Sequence, residues 1–429
     1  MYVQHFRNLD ASIGRCAVWK NTIPGKATSY YSRDVSVGPW SPMLRIKNVS
    51  VLTPQRMLEN AQVVLDGAKI KSVEVEPEIV DKNDSTLLDG EGNYLVPGFI
   101  DMQINGGFGW DFTEQPDTIW KVGNQLPKYG VTSFLPTMIT APLEKYSQAQ
   151  DILQSGLPQD CTGSNVLGLH IEGPFLNPEK RGAHDPRFMR SPNLKDVDGW
   201  SMGNGVMMVT LAPELEGAQE MISHLVERGI IVSAGHTLAN FDETQKAIAG
   251  GLRYGTHLFN AMRPLHHREP GVAGALLTNE NVIVGIIPDG IHIHPALLES
   301  IYHLVAPQRL NLVSDAMAGL GMSSGVYKLG PNSVHVSGGE ACLEDGSLAG
   351  SVLSLDQGLR NLIDFADCSL QDALHTVTTT PARLLGLSHQ KGQIAPGYDA
   401  DLVLLSHDLQ VLATVVNGRM VYQRDYEGN

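Results

Sequence analysis

The sequence is poor in cysteine, in basic residues and in long apolar runs. Its four cysteines (Cys16, Cys161, Cys342 and Cys368) show no CxxC spacing, so neither a thiolate metal site nor a disulfide framework is indicated. Lysine and arginine number 31 against 46 acidic residues, and the net charge of -15 argues against nucleic acid and anionic membrane surfaces as main partners. No apolar run approaches transmembrane length and the N-terminus lacks an apolar signal core, which predicts a cytoplasmic protein.

The composition is that of a globular protein. Apolar residues make up 42% of the 429 residues and charged residues 18%, enough for one large domain and a smaller one. Residues 1–42 are polar and aromatic without clear periodicity, and we expect them to form a poorly ordered N-terminal extension.

Short alternating strands are predicted at both ends of the remaining chain. Residues 43–97 contain runs such as LRIKNVSVL and AKIKSVEV, separated by turns. Residues 391–429 repeat this pattern, and Asn417-Gly418 between two apolar runs indicates a β-hairpin. We therefore expect a small β-sandwich domain built from both chain ends.

Residues 98–390 alternate strand-like runs with helix-length segments. Stretches such as LEKYSQAQDILQSG and LEGAQEMISHLVERG have helical apolar spacing, and SLQDALHTVTTTPARLLG reads as a helix pair that leads back to the β domain. The strand-like runs are Phe99–Ile104, Val131–Leu135, Val166–Ile171, Val206–Leu211, Ile230–Ala234, Tyr254–Leu258, Val282–Ile287 and Leu310–Val313. Eight such units over about 250 residues predict a (β/α)8 TIM-like barrel.

Polar side chains lie at the end of most of these runs or directly after it, where a barrel places its active site. Each of them taken alone is more often a structural residue, but their recurrence at successive strand ends favours a functional site. They are Gln103, Asn105, Glu172, His236, His257, Asn260, Asp289, His292 and Asp315.

Two imidazoles and one carboxylate on separate strands fit a catalytic zinc-type site with three protein ligands and one open position. Glu172, His236 and His257 are the candidate ligands. An ion there would activate water and polarise a carbonyl. Asp315, at the end of the eighth run, could accept a proton from water and pass it to a leaving amine.

Local positive charge near the predicted barrel mouth favours an anionic substrate, although basic loops are more often simply solvated. Lys180-Arg181 precedes His184 in the loop after the third run, and His266-His267-Arg268 follows the sixth. The small-residue segment Ser347–Ser351 could hold a substrate through its backbone, and a plain turn is an equal alternative.

The motifs together resemble a known family. VPGFID at the first barrel strand is similar to the amidohydrolase superfamily. The motifs GLHIEGPF, KRGAH, SAGHT, THLFNAM, HREPG, PDGIHIH, SDA and LAGS, in this order, resemble the N-acetylglucosamine-6-phosphate deacetylase family within it. The resemblance runs from about Met43 to the C-terminus and leaves residues 1–42 outside.

This resemblance implies hydrolysis of N-acetylglucosamine 6-phosphate to glucosamine 6-phosphate and acetate. Carried over by motif, Glu172, His236 and His257 bind a divalent metal ion, and Asp315 is the general base and then the general acid. The implied substrate-binding residues are Ala183, His184, Asn260, Ala261, Arg268, His292, Leu348, Ala349 and Gly350. Among them His184 stabilises the carbonyl, and Asn260, Ala261 and Arg268 contact the phosphate. The family also implies a homodimer, with Arg268 and His292 near the partner subunit's site.

One departure from the wider superfamily concerns the metal. Many members carry His-x-His at the end of strand one, where this chain has Gln103-Ile-Asn105. Neutral amides are poor ligands for a second transition metal, so we expect one ion per subunit and no bridging carboxylated lysine. Zinc is our first choice, with iron or another divalent ion as alternatives. A cyclic amide or aryl-amidine hydrolase, and a catalytically silent scaffold, are the rival functions.

Overall fold

The computed structural model describes residues 43–53, 56–75, 85–158, 161–305 and 307–425, and the predicted extension 1–42 lies outside them. In chain order the strands of these ranges are β1 (Met43–Leu52), β2 (Met57–Asp66), β3 (Lys69–Val75), β4 (Ser85–Asp89), β5 (Tyr94–Pro97), β6 (Phe99–Ile104), β7 (Gly106–Gly107), β8 (Trp110–Asp111), β9 (Val131–Met138), β10 (Asn165–Val166), β11 (Leu169–Glu172), β12 (Val206–Leu211), β13 (Ile231–Ala234), β14 (Tyr254–Gly255), β15 (Ile283–Ile286), β16 (Leu310–Leu312), β17 (Gly325–Leu329), β18 (Asn332–Ser337), β19 (Glu340–Cys342), β20 (Leu402–Leu405), β21 (Val411–Val416) and β22 (Arg419–Gln423). The α-helices are α1 (Ile119–Gly123), α2 (Leu143–Ser155), α3 (Ala218–Glu227), α4 (Phe241–Ala249), α5 (Gly271–Thr278), α6 (Pro295–Val305), α7 (Leu355–Ala366), α8 (Leu370–Val377) and α9 (Thr379–Leu384).

A nearly closed parallel barrel forms the largest part of the described chain. Its strands are β6, β9, β10 with β11, and β12 to β16, and each matches one of the eight runs predicted from the sequence. Closure comes from the Asp315 N–H, which donates to the Gln103 carbonyl at 2.8 Å, and from the bridge between Ile104 and Ala316. The runs are almost wholly apolar because helices cover the outside and side chains fill the inside. The barrel prediction is confirmed.

Helices follow most barrel strands. The helical stretches predicted around α2 and α3, and the predicted pair α8 and α9, are confirmed. The connection from β11 to β12 is different, because it contains several 3-10 turns and no α-helix; Pro174, Pro178, Pro186 and Pro192 interrupt it repeatedly. Among the described residues, no helix is both long and apolar enough to cross a membrane.

Strands from both ends of the described chain form one eight-stranded sheet. Its order is β22-β21-β20-β5-β1-β2-β3, with β4 beside β1. The two chain ends meet where β5 pairs antiparallel with β20, Leu95 facing Leu404. The hairpin predicted at Asn417-Gly418 joins β21 to β22. The fold class, a TIM-like barrel with a small β domain from both ends, is confirmed. The described strands of that domain belong to one sheet, so its sandwich arrangement stays a prediction, as do the boundaries 43–97, 98–390 and 391–429.

A small antiparallel sheet of β17, β18 and β19, which was not predicted from the sequence, follows the eighth barrel strand. In β18 buried and exposed positions alternate, and Leu329 and Val334 pack against Ile139 and Met317, which follow barrel strands. The Asn332 Nδ2–H donates to the Ala183 carbonyl at 2.6 Å, so this sheet contacts the long loop after β11.

A buried ion cluster joins the sheet to the barrel. Lys391, whose side chain is 9% exposed, places Nζ 2.5 Å from Asp401 Oδ2 and 3.0 Å from Asp399 Oδ2. Burial lowers the pKa of Lys391, but the charges of Asp401 and Asp399 more than offset this, so the pKa lies above its ordinary value. Asp401 also accepts hydrogen bonds from Asn165 of the barrel and from the backbone N–H of Asn417.

Replacing Lys391 by Met should lower the free energy of unfolding by about 3–5 kcal/mol, because Asp401 would be left buried without its counter-charge. Lys69 is a matched control, since it pairs with the same Asp399 but its side chain is 51% exposed. Lys69→Met should lower the free energy of unfolding by about 0–1 kcal/mol. Urea unfolding of the two variants measures both values, and equal losses would contradict the interpretation.

Candidate active site

Three predicted metal ligands come together at the carboxyl ends of the barrel strands. Glu172 is the last residue of β11, whereas His236 and His257 each lie two residues beyond β13 and β14. Their ligand atoms, Glu172 Oε1 and the two Nε2 atoms, lie 3.0 to 3.2 Å from one another, and all three side chains are buried. The residues predicted from spacing therefore form one cluster.

Backbone geometry turns the two imidazoles inward. His236 and His257 have φ values of 49° and 28°, and Asp315 has a φ of 47°. Non-glycine residues seldom adopt positive φ, and such strain is commonly found at functional sites. The backbone at these strand ends is therefore held in an unfavourable conformation, where the side chains of Glu172, His236 and His257 converge.

The cluster fits a metal ion. The His236 Nδ1–H donates to the Lys180 carbonyl at 2.8 Å, which leaves the Nε2 lone pair of a neutral His236 free to bind an ion. Ligand atoms of a tetrahedral site with bonds of about 2.0–2.1 Å lie roughly 3.3 Å apart, close to the spacing found here. Within the described residues, these are the histidine and carboxylate side chains whose ligand atoms lie close enough together to hold an ion.

The buried carboxylate of Glu172 and the neighbouring imidazoles shift the pKa values within the cluster. Burial would raise the pKa of Glu172, but hydrogen bonds and positive charge from His236 and His257 hold it well below its ordinary value. Burial lowers the pKa of His257, and the hydrogen bond and charge of Glu172 more than reverse this and raise it. His257 therefore keeps a proton more readily than a free imidazole when no ion is bound.

Two side-chain amides, one in β6 and one directly after it, donate hydrogen bonds to the carboxylates of the site. The Gln103 Nε2–H donates to Glu172 Oε1 at 3.2 Å, and the Asn105 Nδ2–H donates to Asp315 Oδ1 at 2.8 Å. Both amides are buried, and their oxygens have no hydrogen-bond partner among the described residues. Gln103 and Asn105 thus serve here as donors to two carboxylates.

Asp315 lies three residues beyond β16, near enough to Glu172 and His257 for their charges to act on it. Burial raises its pKa to about 6, with a further contribution from the negative charge of Glu172. A carboxyl group with this pKa can both accept and release a proton near neutral pH. Its backbone carbonyl accepts the Ser351 N–H at 2.8 Å, so the segment predicted to contact substrate packs against it.

His184 has a defined tautomer. The Thr140 backbone N–H donates to His184 Nδ1 at 3.1 Å, and the Thr140 hydroxyl, 2.8 Å from the same nitrogen, can donate to it as well. Because Nδ1 accepts, the proton of the neutral ring is assigned to Nε2. Burial, together with the charge of His236, holds the pKa of His184 well below its ordinary value. The ring is therefore a neutral donor whose Nε2 lies 3.9 Å from Glu172 Oε2. Thr140 follows β9 and was missed by the sequence analysis, because only its contact with His184 reveals its role.

The remaining predicted residues form an outer layer. Asn260 and Ala261 are half-buried, and the Asn260 N–H donates to the His257 carbonyl at 3.0 Å. Arg268 is exposed, with Nη1 2.9 Å from His267 Nε2, so the structure leaves it at the surface rather than in the buried cluster. His292 Nδ1 lies 2.6 Å from Asp289 Oδ2, and this contact holds the pKa of Asp289 below its ordinary value against the effect of burial.

The backbone of the predicted substrate segments lies close to these groups. Ala183 directly precedes His184. In the segment Leu348, Ala349 and Gly350, the Ala349 N–H donates to the Ala341 carbonyl at 2.9 Å. Gly350 has a φ of 63°, and a Cβ there would lie 3.0 Å from the Asp315 carbonyl oxygen, so a larger residue would press on the backbone of Asp315.

The barrel and its cluster of two imidazoles and a carboxylate are typical of the amidohydrolase class, whose members are typically metal-dependent. The sequence matches the amidohydrolase family over residues 94–421. An N-acetylglucosamine-6-phosphate deacetylase from Bos taurus is 42% identical over 77% of this chain and 84% of its own length. The crystal structure of the enzyme of that name from Pasteurella multocida is 31% identical, with a TM-score of 0.83, over 89% of this chain and 100% of the other. A mutant of the Mycobacterium smegmatis enzyme, solved in complex with N-acetyl-D-glucosamine-6-phosphate, is 34% identical, with a TM-score of 0.80, over 89% and 99% of the two chains. The chain therefore belongs to the N-acetylglucosamine-6-phosphate deacetylase family of the amidohydrolases, which confirms the resemblance inferred from the motifs.

Metal affinity should rise with pH, because a proton on His257 must leave before its Nε2 can bind an ion. Below the raised pKa of His257 the apparent affinity should fall by up to about tenfold per pH unit, as one proton competes with one ion. Competition with a chromophoric chelator between acidic and neutral pH, corrected for the chelator's own protonation, measures this. An affinity that does not change with pH would contradict it.

Proposed function

We propose that this protein hydrolyses N-acetylglucosamine 6-phosphate to glucosamine 6-phosphate and acetate, in amino-sugar catabolism or recycling. The observation that carries the proposal is the buried group of Glu172, His236 and His257 with Asp315 beside it, at the strand ends of a chain of this family. The complex of the Mycobacterium smegmatis relative with this sugar phosphate supports the choice of substrate.

Glu172, His236 and His257 would hold one divalent ion, with zinc as first choice and iron or another divalent ion as alternatives. When bound, such an ion supplies Lewis-acid chemistry, which polarises the amide carbonyl and makes water a better nucleophile near neutral pH. Gln103 and Asn105 are engaged with the carboxylates, which supports a single ion per subunit.

The chain's own groups supply the proton transfers. His184 presents Nε2–H as a donor to the acetyl carbonyl oxygen, where negative charge develops. Asp315 accepts a proton from water as the oxygen–carbon bond forms, and donates it to the amide nitrogen as the carbon–nitrogen bond breaks. The Asn105 amide holds the Asp315 carboxylate in place through both steps.

The outer residues would hold the sugar phosphate. Asn260, Ala261 and Arg268 are assigned to the phosphate, and His292 to the sugar. The backbone of Ala183 and of Leu348, Ala349 and Gly350 would line the remainder of the sugar site. Fixing the phosphate far from the amide positions the acetyl group over the ion site.

A homodimer is part of the proposal, with Arg268 and His292 near the partner subunit's site. Leu265, Ile291 and Leu297 are exposed by 51%, 38% and 43%, and they lie within a few residues of Arg268 or His292. Exposed apolar side chains beside Arg268 and His292 support a covered face there. The cytoplasmic location expected from the sequence stays a prediction.

Acetate release should occur with the phosphorylated sugar and hardly at all with N-acetylglucosamine. Arg268→Ala should reduce kcat/KM for the phosphorylated sugar about 10–100-fold, because a charged hydrogen bond contributes about 1.5–3 kcal/mol. The same variant should leave the residual rate on N-acetylglucosamine unchanged. No acetate from either sugar in a metal-loaded protein would contradict the function, and an unaffected Arg268→Ala would favour another amidohydrolase substrate.

Asp315→Asn should lower kcat about 10²–10⁴-fold, since the amide can neither accept nor release the proton. Its metal content should equal that of the unchanged protein, because Asp315 is outside the ligand cluster. Single-turnover acetate release and metal analysis on the same sample separate the two effects. Loss of the ion together with activity would show that Asp315 is a ligand instead.

Whether Arg268 serves the site of the partner subunit can be tested by co-expressing Arg268→Ala and Asp315→Asn subunits with different tags. If Arg268 acts across the interface, a mixed dimer contains one fully intact site and should recover about half the activity of the unchanged dimer. If Arg268 acts within its own subunit, no intact site forms and activity stays low. Failure to isolate any mixed dimer would contradict the homodimer.

A further inference from the structure

Glu214 follows β12, one of two barrel strands after which the sequence predicted no site residue. Its half-buried carboxylate accepts three hydrogen bonds. Oε1 accepts the Asn177 Nδ2–H at 2.9 Å and the Leu238 N–H at 2.7 Å, and Oε2 accepts the Thr237 hydroxyl. These donors come from the loops after two other strands, β11 and β13. Glu214 thus joins three neighbouring strand ends.

All three donors adjoin His236. Thr237 and Leu238 are the next two residues, so Glu214 holds the backbone directly after the imidazole. The Asn177 backbone N–H donates to the His236 carbonyl at 3.0 Å. Because His236 has a φ of 49°, neighbouring contacts must keep it in this strained conformation.

The same carboxylate also holds the group that orients the ring. The Asn177 side chain accepts the Glu179 N–H at 3.0 Å and begins the 3-10 turn Pro178–Lys180. The carbonyl at the end of this turn, Lys180 O, accepts the His236 Nδ1–H. Glu214 therefore fixes both the backbone of His236 and the acceptor that selects its tautomer.

We propose that Glu214 is a positioning residue for the metal centre, which keeps His236 Nε2 aimed at Glu172 and His257. The proposal rests on the metal-binding role given to His236 above. Groups that orient a metal-binding histidine typically change metal affinity or activity by about 10–100-fold when they are lost.

Three substitutions separate orientation from general stability. Glu214→Ala removes all three acceptor contacts. Glu214→Gln keeps one oxygen for Asn177 and Leu238, and its amide can donate to the Thr237 hydroxyl. Glu216→Ala is the matched control, since Glu216 lies in the same loop and is exposed.

The readouts are the dissociation constant for cobalt(II), the visible spectrum of the cobalt protein, and its thermal unfolding without metal. Glu214→Ala should weaken cobalt binding by about 10–100-fold and alter the spectrum, because the ligand field depends on the ring orientation. Glu214→Gln should stay within about threefold of the unchanged protein, as should Glu216→Ala.

Unchanged cobalt affinity and spectrum in a folded Glu214→Ala protein would overturn the proposal, as would an equal loss in Glu214→Gln. A lower unfolding temperature with normal cobalt binding would also overturn it, since this indicates a merely structural role. If Glu214→Ala does not fold, Thr237→Val removes one of the three contacts in a shape-conserving way and should give a smaller loss in the same direction. Unchanged cobalt binding there overturns the proposal equally.

The unchanged protein distinguishes this inference from the proposed function. If it binds cobalt and releases acetate, a normal Glu214→Ala variant removes only the positioning role. If it binds no cobalt at the cluster, the metal role of His236 fails first.

Discussion

Burial of the Glu172 carboxylate is the constraint on which the site depends. A buried charge must be compensated, and here two imidazoles and the Gln103 amide converge on one oxygen of this side chain. The strained strand ends at His236 and His257 follow from this requirement, because ordinary strand geometry would not direct both rings to the same point. An ion bound there would replace protons in the same role of counter-charge.

Some strand ends carry the reactive groups of the site, and others carry residues that hold those groups in position. Glu172, His236, His257 and Asp315 carry the groups suited to binding an ion or moving a proton. Thr140, after β9, selects the tautomer of His184, and Asn105 restrains Asp315. Parallel strands make this division possible, because all their carboxyl ends open on the same face and each loop touches its neighbours.

The sequence predicted the barrel because its strands are buried on both faces and read as uninterrupted apolar runs. It did not predict β17 to β19, which are short and bury few side chains; in β18 only alternate residues such as Val334 are buried. The cluster was predictable because each ligand type stands next to a strand end. Thr140 was not, since its role depends on His184, a residue 44 positions away in the chain. Neither residue type nor spacing records such a contact.

The sheet joined by β5 and β20 has a consequence for synthesis on the ribosome. The strands before the barrel emerge first, and β5 presents a free hydrogen-bonding edge until β20 is made. At about 5–20 residues per second, this interval is on the order of tens of seconds. Exposed edges pair readily with other chains, so the nascent protein has a period of vulnerability to aggregation that ends when its last strands arrive.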